Sequence, residues 1–99
     1  MFSNTDSLST YIDNSEDINL RFEAINVLIP LAVNSEPEKA QKYAELQLQI
    51  VKIDTQIARA YLNIGLALDY QSKFDSAIVY YNKSWVLNNE IGNEFWQAQ

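Results

Sequence analysis

The side chains best suited to chemistry in this 99-residue chain are carboxylates, because thirteen residues are acidic and neither Cys nor His occurs. Residues 13–19, DNSEDIN, superficially resemble a calcium-binding loop with oxygen ligands at intervals. A calcium loop also needs Gly at its sixth place and Glu at its twelfth, and here Ile18 and Ala24 occupy those places. Acidic residues at a helix start, where they favour the helix dipole, explain the segment better. We therefore predict no metal site.

Catalytic groups are also missing. Without Cys or His there is no thiol nucleophile, no imidazole base and no zinc site of the Cys/His type. Ser and Tyr are frequent, but no base is placed to activate them. No pair of carboxylates has an apolar surrounding that would separate their pKa values. We expect neither enzymatic activity nor a cofactor.

Composition narrows the class of partner. The net charge is −6 and the seven basic residues are scattered, which argues against binding to a nucleic-acid backbone. The longest apolar stretch, residues 24–33, is too short to span a bilayer and contains Asn26 and Pro30. The first residues lack the basic start and apolar core of a secretory signal. We expect a soluble chain without membrane insertion by this segment, in the cytoplasm or the periplasm.

Helix boundaries are predicted from capping residues. Ser15 precedes two acidic residues, Ser35 begins a capping box with Pro in the first turn, and Ser72 begins a similar pattern. Gly92 stands where a helix would end in a left-handed residue. The predicted helices lie near 6–12, 16–33, 36–53, 55–71 and 74–90, with a last stub from about 94. Short connections make neighbouring helices antiparallel.

Residues 60–81, AYLNIGLALDYQSKFDSAIVYY, carry the most informative spacing of the chain. The positions that matter are Tyr61, Ile64, Gly65, Leu68, Phe74, Ala77 and Tyr81. This ladder resembles the tetratricopeptide repeat, which has a large residue, then Leu-Gly, an aromatic, and a small Ala opposite them. The resemblance implies two helices pressed together where Gly65 meets Ala77. A second match, at an offset of 37 residues, aligns Ala40 with Ala77 and Ala44 with Tyr81.

The resemblance implies an all-α fold, a right-handed superhelical array of antiparallel helix hairpins with two repeats and flanking helices. The single domain, residues 1–99, is divided into an N-terminal helix at 6–14, a degenerate first repeat at 15–54, a second repeat at 55–91 and the start of a third at 92–99. The first repeat is degenerate because Pro37 replaces Phe74 and Leu28 replaces Gly65.

With these repeats, the chain resembles adaptor proteins and the input regions of bacterial signalling proteins. This resemblance implies recognition of a protein or peptide. The alternative is a structural module that only self-associates and has no separate ligand. Leu62 and Leu66 stand where chaperone-binding members carry Lys and Asn, so binding of a terminal carboxylate is disfavoured. The concave face implied by the resemblance comprises Phe22, Ile25, Ile29, Arg59, Leu62, Leu66, Asp69 and Tyr70.

Two features leave alternatives open at this face. The N-terminal helix, with Leu8, Tyr11 and Ile12, either folds over the groove as core or leaves it open to an apolar peptide or partner helix. Pro30 interrupts an apolar helix, so we expect a kink near Ile29 that either bends the helix over the core or shapes the groove.

The last long helix is apolar on more than one side, which predicts neighbours on two faces. Only one neighbour is supplied by this chain. The surplus face is predicted to contact a further repeat or a second copy in a homo-oligomer. Its residues are Ile78, Tyr81, Trp85, Phe95 and Trp96.

Overall fold

The computed structural model describes residues 4–97 and, within them, the side chains of residues 6–92. Five α-helices occupy this range: α1 (Asn4–Asn14), α2 (Ile18–Ala32), α3 (Pro37–Ile50), α4 (Asp54–Tyr70) and α5 (Phe74–Gln97). Every regular element in the described part of the chain is a helix, so the predicted all-α class is confirmed.

Each helix packs on the next one along the chain, and α2 also touches α4. Antiparallel packing of α3 and α4 follows from two side-chain hydrogen bonds: Gln47 pairs with Asn63, while Gln41, earlier in α3, pairs with Gln71, later in α4. Among the described residues, α5 packs on α4 and on no other helix. One side of α5 is therefore left without a helical neighbour.

A single apolar core runs through the five helices. Its buried residues are mainly aliphatic and small, including Ile12, Ile25, Leu28, Ala44 and Ile64. Alanine and glycine make up more than half of the buried residues of α3 and α4 together, which lets helix backbones approach. The fully buried Ile12 ties the short α1 into this core, so α1 is an integral part of the domain.

The N-caps of α2 and α3 lie one or two residues later in the chain than predicted. The N-cap of α2 is Asp17, whose carboxylate accepts a hydrogen bond from the Leu20 amide at 3.0 Å, rather than Ser15. The N-cap of α3 is Glu36 without a side-chain cap, so the predicted capping role of Ser35 is wrong. Pro37 does begin α3, as the missing amide hydrogen of proline favours at that position.

Ser72 ends one helix and does not cap the next. Its φ of 62° is left-handed, and the Lys73 amide donates to the Leu68 carbonyl while the Ser72 amide donates to that of Asp69. This pair of bonds is the Schellman arrangement that closes a helix C-terminus. The predicted N-cap at Ser72 is therefore wrong, and α5 begins after Lys73, whose carbonyl accepts from the Ala77 amide.

Helix α5 continues through Gly92 to Gln97. The predicted helix end at Gly92 and the separate stub from about 94 are wrong, because Gly92 has no left-handed φ and stays helical. An added Cβ at Gly92 would meet no atom within 4 Å. The glycine is thus tolerated in an uncrowded stretch of helix and has no role in a turn.

Gly65 is where α4 and α5 come closest. A Cβ added there would lie 2.7 Å from Cδ1 of Tyr81 and 3.3 Å from the carbonyl oxygen of Ala77. Both distances are shorter than ordinary van der Waals contact, so no larger residue fits without movement. The predicted close approach of Gly65 to Ala77 is confirmed, and the Tyr81 ring occupies the space that the missing side chain leaves.

Candidate functional site

A groove runs between α2 and α4 and is closed at one end by α5. We call it the inner groove. It has a volume of about 260 Å³ and is lined by Asn26, Ile29, Pro30, Arg59, Leu62, Asn63, Leu66 and Tyr81. A cavity of about 150 Å³ is large enough for benzene, so the inner groove can take a large apolar side chain.

Three amide side chains hold the floor of the inner groove. The Asn26 Oδ1 atom accepts from Gln47 Nε2 at 2.9 Å and from Asn63 Nδ2 at 3.0 Å. Asn63 Nδ2 also donates to Gln47 Oε1 at 2.8 Å, and Gln47 Nε2 donates to the Phe22 carbonyl. Because Gln47 is fully buried, each unmade bond here would carry a desolvation cost. The network links α2, α3 and α4 in one register.

Pro30 affects the groove because proline has no backbone amide hydrogen. It lies in the last turn of α2 and has no amide hydrogen, so it cannot donate to the carbonyl of Asn26 as a helical residue would. Both Asn26 and Pro30 line the inner groove. The carbonyl of Asn26 therefore lacks the usual amide donor four residues later in the helix.

The end of the groove is set by Tyr81. Its hydroxyl donates to Oδ2 of Asp69 at 3.2 Å. Burial, the negative charge of Asp69 and this hydrogen bond raise the pKa of Tyr81 to about 12. Tyr81 therefore stays neutral at physiological pH and holds the Asp69 carboxylate in place.

Arg59 is the one cation of the groove lining. Its side chain is exposed and has no ion-pair partner within the part of the chain that the structure describes. A guanidinium in this state can bind a carboxylate through two parallel hydrogen bonds.

The residues predicted for the concave face divide into two groups. Ile29, Arg59, Leu62 and Leu66 line the inner groove together. By contrast, Phe22 and Ile25 are buried in the core and do not line the groove. Ile29 is also buried, with 1% of its surface exposed, so of these predicted groove residues a partner could contact only Arg59, Leu62 and Leu66 without rearrangement. The prediction failed there because α2 is apolar around most of its circumference, and spacing alone does not tell its core face from its groove face.

Asp69 and Tyr70 lie outside the groove lining. Asp69 serves the groove indirectly by holding Tyr81, while Tyr70 is exposed on the surface of α4. Sequence reasoning missed Asn26 and Gln47. The available signal was a polar residue within each of two apolar helix faces, in AINVLIP and in ELQLQI.

Helix α1 does not cover the inner groove, since none of its residues lines it. It lies against α2 and bonds to α3 instead: the Tyr43 hydroxyl donates to Asp13 at 3.1 Å, and Lys39 lies 3.4 Å from Asp6. Of the two alternatives for this helix, covering the groove is the one that the structure contradicts.

The surplus face predicted on α5 is only partly as expected. Ile78 and Trp85 are exposed, at 55% and 67% of their surface. Tyr81 points the other way, onto Gly65 and into the inner groove, so its predicted contact with a further repeat or copy is wrong. The side chains of Phe95 and Trp96 lie outside the described residues.

A second and larger groove, which we call the outer groove, lies between α4 and α5 and has a volume of about 560 Å³. Its walls include Ile57, Tyr61, Val79 and Val86. Its cation, Lys83, lies 5.6 Å from the centre of the Tyr61 ring and 5.0 Å from that of Tyr80. The charge is thus already engaged with two aromatic faces.

No family model, curated protein sequence or solved structure shows a significant match to this chain. Within the described residues, no helix is both long and apolar enough to cross a membrane. In the same range, no cluster of three or more acidic side chains is placed to hold a metal ion.

Proposed function

We propose that this protein recognises a peptide segment of another protein and that the inner groove is the binding site. The observation that carries the proposal is the combination, in one open groove, of apolar walls with polar groups whose orientation is fixed by buried hydrogen bonds. Ligand sites in proteins typically combine these two features. The resemblance of residues 60–81 to a tetratricopeptide repeat supports the same function and would place the chain in an adaptor or in the input region of a bacterial signalling protein.

The chemistry of the groove indicates the kind of peptide. Leu62 and Leu66 offer an apolar wall on which an aliphatic or aromatic side chain would be buried. Arg59 offers a free cation at the same wall, so the peptide should carry a carboxylate close to its apolar residue. We infer a short motif that combines an apolar residue with Asp or Glu.

The outer groove is larger, but it is the weaker candidate for specific recognition. Its polar groups are not held by a buried network, and its cation is occupied by Tyr61 and Tyr80. A substitution in the outer groove therefore serves as a control for peptide binding to the inner groove.

The test is selection of a displayed random-peptide library on the wild-type protein at a concentration where the protein is monomeric. Enriched peptides should share an acidic residue beside an apolar one. Leu62→Asp should weaken their binding at least about tenfold. Leu62 is 38% exposed, so we expect the variant to fold. Arg59→Ala should remove the preference for the acidic residue.

Val86→Asp is the matched control, because it adds the same charge at an exposed apolar residue of the outer groove. It should leave peptide affinity unchanged. Melting curves of all variants establish that each is folded. Enriched peptides that bind Leu62→Asp as tightly as wild type, or a selection without enrichment, would contradict the proposal.

A further inference from the structure

The contact between α3 and α4 joins the two helix hairpins of the chain, α2–α3 and α4–α5. On the α3 side, Gln41 and Gln47 bond to α4, and Leu48, on the same face, packs against the core. On the α4 side, residues at intervals of three or four lie on one face of the helix, and all of them are buried or half-buried. These residues are Ala60, Ile64, Ala67 and Gln71.

Counterparts of the α4 face lie on α2, 37 residues earlier in the sequence. These counterparts are Glu23, Val27, Pro30 and Asn34, and all four are exposed. Next to them, Leu31 is also 47% exposed, and Val27 is exposed over 53% of its surface. We call these four counterparts, together with Leu31, the α2 face. It is the same helical surface that α4 uses against α3, but it has no neighbour.

The α3 residues of this contact have counterparts on α5, 37 residues later. Gln41 corresponds to Ile78 and Leu48 to Trp85, the exposed apolar residues described above. Phe74, one turn earlier, is exposed beside them. We call Phe74, Ile78 and Trp85 the α5 face. Both halves of the hairpin contact therefore exist a second time, unpaired, on different helices.

We propose that two copies of this chain associate head to tail, with the α2 face of one copy on the α5 face of the other. The contact repeats, between copies, the packing that already joins the two hairpins within one copy. It is heterologous, because two different surfaces meet, so it leaves one face free at each end and can extend to longer chains of copies. This inference does not depend on the peptide-binding proposal.

The repeated internal contact identifies a second copy as the occupant, and the low charge of the two faces allows it. The chain has a net charge of −6, so association is favoured only through surfaces that carry little of that charge. Glu23, at one end of the α2 face, is its only charged residue, and residues 24–33 are uncharged. Between Ile78 and Glu90 the only charged residue is Lys83, which lies over the Tyr61 and Tyr80 rings. Interface cores are depleted in charged residues in the same way.

The register of the internal contact carries over. Ser84, the counterpart of Gln47, is buried and donates to the Ala58 carbonyl of its own copy, so it takes no part in the contact. The Gln41–Gln71 pair translates into Ile78 beside Asn34 of the other copy. This places Val27 and Trp85 next to each other at the centre. It also places α2 of one copy beside α4 of the other, which would extend the wall of the inner groove across the junction.

The experiment is sedimentation velocity of the full chain from micromolar to millimolar concentration, with Val27→Asp and Trp85→Asp. Wild type should associate increasingly with concentration, and each variant alone should weaken association at least about tenfold. A mixture of the two variants should form a 1:1 complex that does not grow further. Each variant keeps one intact face, and only one intact pair of faces can form.

Val86→Asp is again the matched control and should associate like wild type. Both test positions are about half exposed or more, and melting curves verify that the variants fold. Symmetric pairing of α5 with α5 would leave Val27→Asp associating like wild type and would overturn the proposal. A wild-type chain that stays monomeric at millimolar concentration, or mixed variants that remain monomers, would also overturn it.

Discussion

Replacing Gly65 by Ala tests the close approach of α4 and α5 most directly. In an uncrowded helix interior this change stabilises a protein by about 1 kcal/mol, because Ala has the higher helix propensity. Here the new Cβ would lie 2.7 Å and 2.8 Å from two ring carbons of Tyr81 and 3.3 Å from the Ala77 carbonyl oxygen. The ring cannot swing away freely, since its hydroxyl is bonded to Asp69.

Overpacking of this kind costs about 1–3 kcal/mol. The net expectation is that Gly65→Ala lowers the free energy of unfolding by about 1 kcal/mol, or the melting temperature by about 4–8 °C for a domain of this size. Gly65→Leu should be far more destabilising, because its longer side chain would also displace the α5 backbone. Both are measured by urea unfolding followed by far-UV circular dichroism.

A double-mutant cycle with Tyr81→Ala separates the clash from other effects of the substitution. Without the tyrosine ring, only the 3.3 Å contact with the Ala77 carbonyl remains, and Gly65→Ala should become neutral or stabilising. The predicted result is a change of sign between the two backgrounds. Stabilisation of the wild-type background by Gly65→Ala would refute the reasoning.

Three further substitutions test other parts of the fold. Ser72→Gly should stabilise the protein by about 1 kcal/mol in thermal melts, because Ser72 has a φ of 62° that glycine adopts without strain; a lower melting temperature would contradict this. Gln47→Leu should lower the free energy of unfolding in urea by about 1–3 kcal/mol, because it removes a hydrogen-bond partner of Asn63 and of the Phe22 carbonyl. Unchanged stability would show that the network does not stabilise the fold. The raised pKa of Tyr81, about 12 against 10 for an unperturbed tyrosine, means that its stabilisation is complete below pH 10 and is lost as the pH rises towards 12. Tyr81→Phe should reduce this alkaline loss of stability, and identical pH profiles of variant and wild type would refute the assignment.

The sequence predicted the helices well because each has a periodic apolar pattern bounded by polar or helix-breaking residues. Its errors lie at the ends. Ser35 and Ser72 have the right residue type for N-caps, but α3 begins at a proline that needs no cap, and Ser72 is drawn into the turn that closes α4. These choices depend on which neighbouring backbone groups are already bonded, and a linear pattern does not contain that information.

The candidate site was predicted less well than the fold. The positions of Leu62 and Leu66 in the groove wall were implied by the resemblance of residues 60–81 to a tetratricopeptide repeat. In α2 almost every face is apolar, so the same reasoning could not show that Phe22, Ile25 and Ile29 are all buried. The amide network escaped prediction because its partners come from three helices, and their meeting depends on packing between the hairpins.

The internal and the proposed intermolecular contact differ in a way that follows from what each must do. The hairpins within one chain are already held together by a short connection, so polar pairs such as Gln41–Gln71 and Gln47–Asn63 can set their register without having to supply much affinity. A contact between copies must also compensate for lost translational and rotational freedom, which requires more buried apolar surface. The change from Gln41 to Ile78, and from Leu48 to the larger Trp85, adds apolar surface at the corresponding places. If Ile78 and Trp85 were only tolerated surface residues, replacing both by Gln would raise solubility without changing the sedimentation coefficient at any concentration.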